Sequence, residues 1–441
     1  MTTLDANVRP TPGMSRIAMA SLVGTTIEFY DFYIYGTAAA LIIGPVFFAA
    51  AGPSSQALNA FLTFGIAFLA RPFGSALFGH FGDRVGRKTT LVASLLVMGV
   101  STTLIGLLPG YDMLGTSAAA ILCLLRFGQG IGVGGEWGGA ALLATENAPA
   151  GRKAWFGMFP QLGPSIGFLL ANGLFLVLLS TLSGDQFKLW GWRLPFVASA
   201  VLVLIGIYVR SSLAETPAFA RAMVIHRPVP MPLVALLHTQ WLPLLQGSLS
   251  IVVCYTLFYT STVFALSYGV STLKIPRNEF LLLLCVAILF MALATPIAAL
   301  CADRFGRRPV LLAGSAATAL SGFLLPVLLG SSMFGIFCLL ALELFLMGFT
   351  FAPLGAMLPE LFPTRLRYTG ASVAYNLGGI LGASLAPYIA QRLVVQGGLV
   401  WVGYYVSAAA VISFVAVLTI RETRYEDLAS FDLISDKAAC N

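Results

Sequence analysis

The sequence predicts an all-α polytopic membrane protein with twelve transmembrane helices in two six-helix lobes. Of its 441 residues, 58% are hydrophobic and only 10% are charged, whereas a soluble domain carries roughly 25% charged residues. Apolar runs of about 20 residues, long enough to cross the hydrocarbon core as a helix, recur along the chain. The short alternating segments of a membrane barrel are absent. A charged motif occurs twice, which indicates two related halves.

The predicted spans follow the apolar runs. The first lobe covers residues 16–210, with spans at 16–43, 57–80, 88–109, 117–146, 153–181 and 191–210. The second lobe covers residues 241–421, with spans at 241–269, 279–301, 309–330, 333–361, 367–394 and 399–421. The polar, proline-bearing stretch 211–240 is predicted to be a cytoplasmic linker, and residues 1–15 and 422–441 to be cytoplasmic tails. No cleavable signal sequence is expected before the first span.

The charges are distributed as membrane topology requires. Most of the 25 Lys and Arg residues fall in the tails and loops that lie inside the cell if both termini are cytoplasmic. Topology therefore accounts for the formal net charge of +7, and no nucleic-acid partner is predicted. The six cysteines lie mostly in apolar runs and form no CxxC pair, so neither disulfides nor a metal site is expected.

The repeated motif lies between two apolar runs in each half. It reads Gly79-His80-Phe81-Gly82-Asp83-Arg84-Val85-Gly86-Arg87-Lys88 in the first half and Ala302-Asp303-Arg304-Phe305-Gly306-Arg307-Arg308 in the second. Two more landmarks recur in the same order, a Glu-x-x-Pro sequence after spans four and ten and a Glu-Thr pair after spans six and twelve. This pattern predicts an internal duplication, with the substrate site between the two lobes.

The motif is predicted to be a gate. It is not a phosphate-binding loop, because its glycines and lysine have the wrong spacing and it does not follow a strand. Asp83 is expected to meet the N-terminus of a helix in the other lobe, where the helix dipole favours an anion, while Arg84 and Arg87 pair with Glu146. The second copy is expected to repeat this arrangement. The predicted gating residues are Gly79, Asp83, Arg84, Gly86, Arg87, Lys88, Glu146, Arg152, Asp303, Arg304, Arg307, Glu360 and Arg365.

Six charged residues stand out because they lie well inside predicted spans, away from the span ends. They are Glu28, Asp31, Arg71, Arg126, Glu136 and Glu343. Each costs on the order of 2.5–3.5 kcal/mol to insert, so each is expected to have a partner or a function. In one interpretation the carboxylates only neutralise the two arginines in buried pairs that fix helix packing. In the other, Glu28, Asp31 or Glu136 exchanges a proton, because burial and a like charge favour the protonated form of a carboxyl group, and an arginine binds a carboxylate substrate.

Polar and aromatic residues at helical spacing complete the predicted binding site. For each of these residues taken singly, packing between helices is an alternative role. For Glu343 a structural role and a functional role are equally open. Together they suit a short acid or a polar ring. The predicted substrate-binding residues are Tyr30, Arg71, Arg126, Gln129, Gln161, Asn172, Tyr255, Tyr259, Glu343, Tyr375 and Asn376. A dinucleotide-type GxGxxG pattern at 130–135 lies inside an apolar span, so it is interpreted as close helix packing.

The motifs resemble those of a known superfamily. Residues 79–88 resemble the G-x-x-x-D-R-x-G-R-K signature between helices two and three of the major facilitator superfamily, and residues 299–308 resemble its weaker second copy. Residues 28–31, 68–72, 129–140, 191–196 and 215–217 resemble the metabolite:proton symporter family, whose members include shikimate, 2-oxoglutarate, citrate and proline/betaine carriers of the bacterial inner membrane. The resemblance implies the major facilitator fold and alternating-access import of a small polar metabolite with protons.

The sequence therefore predicts a proton-coupled symporter that imports a small organic acid across the bacterial inner membrane. Protons are the coupling ion, and no cofactor is expected. The partners are a small-molecule carboxylate and the lipid bilayer, and a monomer is expected. The alternative is a proton-coupled antiporter that exports amphipathic compounds. A membrane enzyme is not predicted, because the chain has three scattered histidines and shows no nucleophile or metal cluster near the interface.

Overall fold

The computed structural model describes residues 14–85, 87–211, 232–363 and 366–424. For residues 79–85 and 87–89 it describes the backbone but not the side chains. The predicted tails 1–15 and 422–441 and the predicted linker 211–240 therefore lie largely outside the described residues. Within those ranges every regular element is a helix, which confirms the predicted all-α class.

Twelve helical spans follow one another in the described residues. Those of the first lobe are α1 (Met14–Ala38, Ala39–Ile43 and Gly44–Phe47), α2 (Pro53–Val85), α3 (Arg87–Leu107), α4 (Thr116–Val133 and Trp137–Glu146), α5 (Lys153–Thr181) and α6 (Leu194–Ser211). Those of the second lobe are α7 (Trp241–Ser250, Val252–Tyr259, Thr260–Phe264 and Ala265–Ser271), α8 (Arg277–Phe305), α9 (Arg307–Ser321 and Leu325–Leu329), α10 (Met333–Phe351 and Leu354–Glu360), α11 (Arg367–Gly379, Ile380–Ser384 and Ala386–Gly397) and α12 (Leu399–Thr419).

Ten of these spans are long and apolar enough to cross a membrane. The other two are α3, whose apolar part is the shorter Val92–Leu107, and α9, which is interrupted between Ser321 and Leu325. Large apolar side chains such as Leu124 and Leu204 are exposed on the outside of the bundle. A face of that kind suits contact with lipid.

Several spans that the sequence predicts as continuous are interrupted. The α4 helix stops at Val133 and resumes at Trp137, because two successive glycines weaken the helix there. The α10 helix is interrupted just before Pro353, which has no amide hydrogen to donate. The spans α1, α7 and α11 each contain a five-residue π-helix, and a local insertion of that kind often marks a functional site.

Part of the predicted linker is also regular. Residues Pro232–Thr239 form a short helix that packs against α7 and α11 and buries Leu236. The other short helices are Tyr111–Leu114, Gly184–Leu189 and the 3₁₀ turn Gly191–Arg193.

The two lobes pack in the same way. In the first lobe α1 lies against α5, α2 against α4, and α3 against α6; in the second lobe α7 lies against α11, α8 against α10, and α9 against α12. The main contacts between the lobes are those of α5 with α8 and of α2 with α11. A rotation that exchanges the two halves converts each of these contacts into the other. The packing therefore has the pseudo-twofold symmetry that the repeated motifs predict.

Aromatic side chains fill the centre of the interface between the lobes. Tyr33 of α1 stacks on Phe258 of α7 with ring centroids 5.0 Å apart. Phe64 and Phe68 of α2 contact Tyr259 of α7 at 5.2 and 5.6 Å. The buried arginines lie beside these rings.

Candidate functional site

Arg71 is a buried cation with no hydrogen-bond acceptor among the described residues. Its side chain is 1% exposed, and its guanidinium carbon lies 4.4 Å from the ring centroid of Phe32 and 4.3 Å from that of Phe68. Its Nε atom is buried without a partner, and no described carboxylate lies within 4 Å of the guanidinium. A buried donor without an acceptor is costly, so the guanidinium of Arg71 suits an anionic ligand.

Arg126, in contrast, is fully occupied within the first lobe. Its Nη2 donates to the Phe64 carbonyl at 3.0 Å and its Nε to the Thr63 carbonyl at 3.4 Å. Its Nη1 donates to the side-chain oxygen of Gln129, and its guanidinium carbon lies 3.8 Å from the Tyr35 ring centroid. The α2 backbone and an aromatic ring therefore hold this charge in place.

Gln129 connects Arg126 to Asp31. Its oxygen accepts from Arg126, and its amide nitrogen donates at 2.9 Å both to the backbone carbonyl of Asp31 and to the hydroxyl of Thr102. A displacement of Arg126 would therefore reach the backbone of α1 through a single side chain.

Asp31 is a fully buried carboxyl group. Ser199 of α6 donates to its Oδ1 at 2.5 Å, and its Oδ2 has no hydrogen-bond partner among the described residues. No ion pair among the described residues joins Asp31 to Arg71 or Arg126. Whether the three carboxylates neutralise the arginines or exchange protons stays a prediction.

Glu28 and Glu136 are the other two predicted proton-coupling residues. Both are buried. Glu136 lies in the α4 interruption and accepts a hydrogen bond from Ser94 at 2.9 Å.

The second lobe supplies a wall of aromatic residues opposite Arg71. The rings of Tyr255 and Tyr259 are nearly parallel, 6.4 Å apart, and Tyr375 of α11 lies 5.4 Å from Tyr255. Trp137 of α4 stacks on Tyr375 at 4.0 Å with an interplanar angle of 7°. The hydroxyl oxygens of Tyr255 and Tyr375 are buried without a described hydrogen-bond partner, so two donors are available beside the cation.

Two of the predicted site residues instead connect the lobes at helix interruptions. Asn376 of α11 donates to the Ser75 hydroxyl at 2.6 Å and to the Gly134 carbonyl at 2.9 Å. Gln161 of α5 donates to the Phe351 carbonyl at 2.9 Å and accepts from Trp137. Since Tyr368 also donates to the carbonyl of Gly135, three of the described hydrogen bonds between the lobes end on backbone oxygens at the α4 and α10 interruptions.

Three other predicted residues lie away from the arginine. Tyr30 donates to the Pro195 carbonyl inside the first lobe. Asn172 accepts from Thr37 at 2.6 Å and lines a small cavity between α1, α5 and α7. Glu343 of α10 contacts Ser261 of α7. The structure therefore brings Arg71, Tyr255, Tyr259 and Tyr375 together and leaves these three apart.

The second copy of the motif caps a helix of the other lobe. The two carboxylate oxygens of Asp303 accept hydrogen bonds at 2.9 Å from the backbone amides of Ala154 and Trp155, in the first turn of α5. Arg307 forms two ion pairs, with its Nη1 3.4 Å from Oδ1 of Asp303 and its Nη2 3.3 Å from Oε1 of Glu360. This contact closes one side of the interface, which we call the motif face because the loops after α2, α4, α8 and α10 lie there.

The remaining predicted gating residues are less tightly held or are not described. Glu146 lies 4.0 Å from Arg367, Arg152 is exposed just before α5, and Arg304 lies over the Phe305 ring. The side chains of the first motif copy and the whole of Arg365 lie outside the described residues.

Sequence reasoning missed several residues of this arrangement. Glu422 accepts hydrogen bonds from the amides of Arg307 and Arg308 at 2.9 and 3.0 Å, so the Glu-Thr landmark after α12 caps the start of α9. Ser199 and Trp137 were missed because nothing in their local sequence shows what they face.

Comparison with known proteins gives a consistent result. The family model "Sugar (and other) transporter" matches residues 17–225 and 238–433. The inner membrane metabolite transport protein YhjE of Escherichia coli K12 is 51% identical over 97% of this chain and 99% of its own length. The shikimate transporter of that organism is 36% identical over 93% and 95%, and its proline/betaine transporter is 32% identical over 96% and 86%.

Solved structures support the same fold. The proton:xylose symporter XylE, of the major facilitator superfamily, bound to 6-bromo-6-deoxy-D-glucose, matches with a TM-score of 0.74 at 16% identity, over 95% of this chain and 98% of that one. The matched family and the named relatives are transporters rather than enzymes.

Proposed function

The chain belongs to the sugar (and other) transporter family of the major facilitator superfamily, and on that premise we propose that it is a proton-coupled symporter that imports a small organic acid. It is a multi-pass metabolite transporter of the bacterial inner membrane. In this proposal the motif face is cytoplasmic, both termini lie on that side, the protein acts as a monomer, and protons are the coupling ion with no cofactor.

The observation that carries the proposal is the state of Arg71. Its buried guanidinium lies between two rings with no described hydrogen-bond acceptor. A carboxylate would accept two parallel hydrogen bonds from it, and the hydroxyls of Tyr255 and Tyr375 would donate to the polar groups of the same molecule. A quaternary ammonium group is disfavoured, because the cation of the protein already occupies the faces of Phe32 and Phe68.

Asp31 is the proposed proton site. Loss of a proton from Asp31 leaves a buried anion whose described side-chain hydrogen bond comes from Ser199, so ionisation favours a conformation in which water reaches Asp31. Gln129 connects the backbone of Asp31 to Arg126, and this path would transmit occupation of the site to α1. A monoanion that enters with one proton crosses electroneutrally, so it avoids the opposing membrane potential of about 2.3 kcal/mol per charge per 100 mV.

The test begins with ligand binding. Small organic acids, betaines and sugars are screened by thermal shift on the purified protein, where a ligand at a hundred times its Kd adds about 2.7 kcal/mol of stability. An organic acid is expected to stabilise the wild type and Arg392→Gln, a matched control at an exposed arginine. Arg71→Gln should abolish the shift, and Arg71→Lys should keep part of it because it retains the charge without the planar fork.

Transport is then measured in proteoliposomes with the acid that binds. An inward pH gradient should drive accumulation, and a protonophore should abolish it. Uptake that responds to neither treatment would refute proton symport, and net export against the gradient would favour the alternative antiporter. Stabilisation by betaines alone would refute the assignment of an organic acid.

A further inference from the structure

A second buried carboxyl group lies in the second lobe, away from both arginines. Glu343 of α10 is 1% exposed. Its Oε2 lies 2.5 Å from the hydroxyl oxygen of Ser261, and its Oε1 is buried with no hydrogen-bond partner among the described residues. An ionised carboxylate with one hydrogen bond and no cation is costly in such surroundings. Glu343 therefore has the properties of a group that changes its protonation state only when its surroundings change.

Ser261 can accommodate both protonation states of Glu343. Its hydroxyl oxygen lies 2.7 Å from the Leu257 carbonyl as well as 2.5 Å from Glu343, but a hydroxyl has one hydrogen and donates one strong bond. If Ser261 donates to Leu257, the short contact with Glu343 requires that the carboxyl group be protonated and donate to Ser261. If Glu343 is ionised, Ser261 must turn its hydrogen from Leu257 to the carboxylate. Each protonation state thus has its own hydrogen-bond pattern.

The pattern at Asp31 is different. Ser199 makes no other described hydrogen bond, so its hydrogen is free to donate to the carboxylate. The two carboxyl groups therefore lie in different environments, one with a dedicated donor and one whose donor has a second acceptor within reach.

Other charges near Glu343 do not explain its position. The helices packed against Met333–Phe351, the segment of α10 that carries Glu343, are α7, α8 and α9. Among the described residues, Ser261 is the one side chain that forms a hydrogen bond with Glu343, and no described ion pair includes Glu343. The charged residues of α8 and α9 lie at the helix ends, and they are Arg277, Glu279, Asp303, Arg304, Arg307 and Arg308.

Ser261 also lies where the lobes meet. It belongs to the π-helix Thr260–Phe264 of α7, and its neighbours Thr262 and Val263 line the small cavity that reaches Tyr33 and Asn172 of the first lobe. A bend of α7 at this π-helix would move Ser261 relative to Glu343 on α10, and π-helices often mark functional sites.

We propose that Glu343 is a second proton-binding site, which takes up a proton when the interface is open to one side and releases it to water on the other. This inference rests on the proposed function, and it makes the stoichiometry two protons for each substrate anion. Import of a monoanion then moves one net positive charge inwards. Asp31 alone would make the same step electroneutral.

A measurement without substrate tests the site first. Infrared difference spectra of the purified protein are recorded as a function of pH, and the carbonyl stretch of protonated carboxyl groups is followed. Glu343→Gln should remove one titrating band, Ser261→Ala should shift its midpoint, and Glu279→Gln, the same change at an exposed residue, should leave the band in place. A wild-type spectrum in the Glu343→Gln variant would overturn the proposal. Ser261→Ala provides the test if Glu343→Gln does not fold.

The stoichiometry is then measured in proteoliposomes at zero membrane potential with the acid that the thermal-shift screen selects. A pH difference of one unit should support about a 100-fold accumulation in the wild type and about a 10-fold accumulation in Glu343→Gln. Equal accumulation of about 10-fold in both would overturn the second proton site and leave symport standing. No accumulation in the wild type would refute the proposed function itself.

Discussion

Removing the charge of Asp303 should open the motif face. The Asp303 carboxylate accepts two hydrogen bonds of 2.9 Å, from the amides of Ala154 and Trp155. Asparagine has a single side-chain oxygen, so Asp303→Asn keeps one of these bonds and loses the other. A hydrogen bond to a charged group contributes about 1.5–3 kcal/mol, and an anion at a helix N-terminus about 0.3–1 kcal/mol. Since one neutral bond remains, we expect a loss of about 2–3 kcal/mol from the closed state. That loss lowers the ratio of closed to open molecules about 30- to 150-fold.

The distance between the lobes reports this ratio directly. Spin labels are attached at Ala150 and Arg421, which are exposed on the motif face in different lobes, after the native cysteines have been replaced. Asp303→Asn should shift the distance distribution towards longer distances and lower turnover more than substrate affinity. Asp112→Asn, the same change at an exposed residue, serves as the control. An unchanged distribution, or weaker binding with normal turnover, would show that the Asp303 contact does not hold this face closed.

Three further predictions concern other parts of the chain. Gly306→Ala should lower the melting temperature, because Gly306 has a φ of 106° and a ψ of 160° and an added Cβ would collide with the Glu422 carboxylate. This backbone conformation alone costs a residue other than glycine roughly 1–3 kcal/mol, which calorimetry can detect. Asn376→Ala should weaken the contact between the lobes by about 1–2 kcal/mol for its two hydrogen bonds, read out as faster exchange of buried amide hydrogens at the interface. Asp31→Asn should keep counterflow exchange and lower pH-driven accumulation to about the 10-fold level that one remaining proton supports at one pH unit, and accumulation equal to that of the wild type would place this proton site elsewhere.

Much of the fold could be predicted from the sequence because it depends on the length of the apolar runs and on the repetition of the charged motif. A helix that crosses hydrocarbon must be long and apolar, and the repeated motif fixed the number of lobes. The glycine run of α4 was correctly interpreted as packing, since Gly130 and Gly134 lie against the carbonyls of Ala67 and Arg71 of α2, where a Cβ would collide. The interruption at Gly134–Glu136 could not be predicted, because glycines permit a break without requiring one.

The site was less predictable, because charge and spacing do not show which groups meet. Arg71 and Arg126 look alike in the sequence, as single arginines in apolar spans. One donates to the carbonyls of Thr63 and Phe64, and the other has no described acceptor. Backbone carbonyls are available at every residue, so no sequence pattern marks those that a distant arginine will find. The pairing of Glu343 with Ser261 likewise depends on how α7 lies against α10.

The backbone oxygens at the α4 and α10 interruptions have a consequence for the energetics of the whole cycle. Asn376, Tyr368 and Gln161 connect the lobes by donating to the carbonyls of Gly134, Gly135 and Phe351. When such a bond breaks in an opening cleft, water can satisfy both partners, so the net loss is only about 0.5–1.5 kcal/mol for each bond. An interface connected in this way has similar free energies closed and open, and the binding of one small molecule is enough to decide between the two.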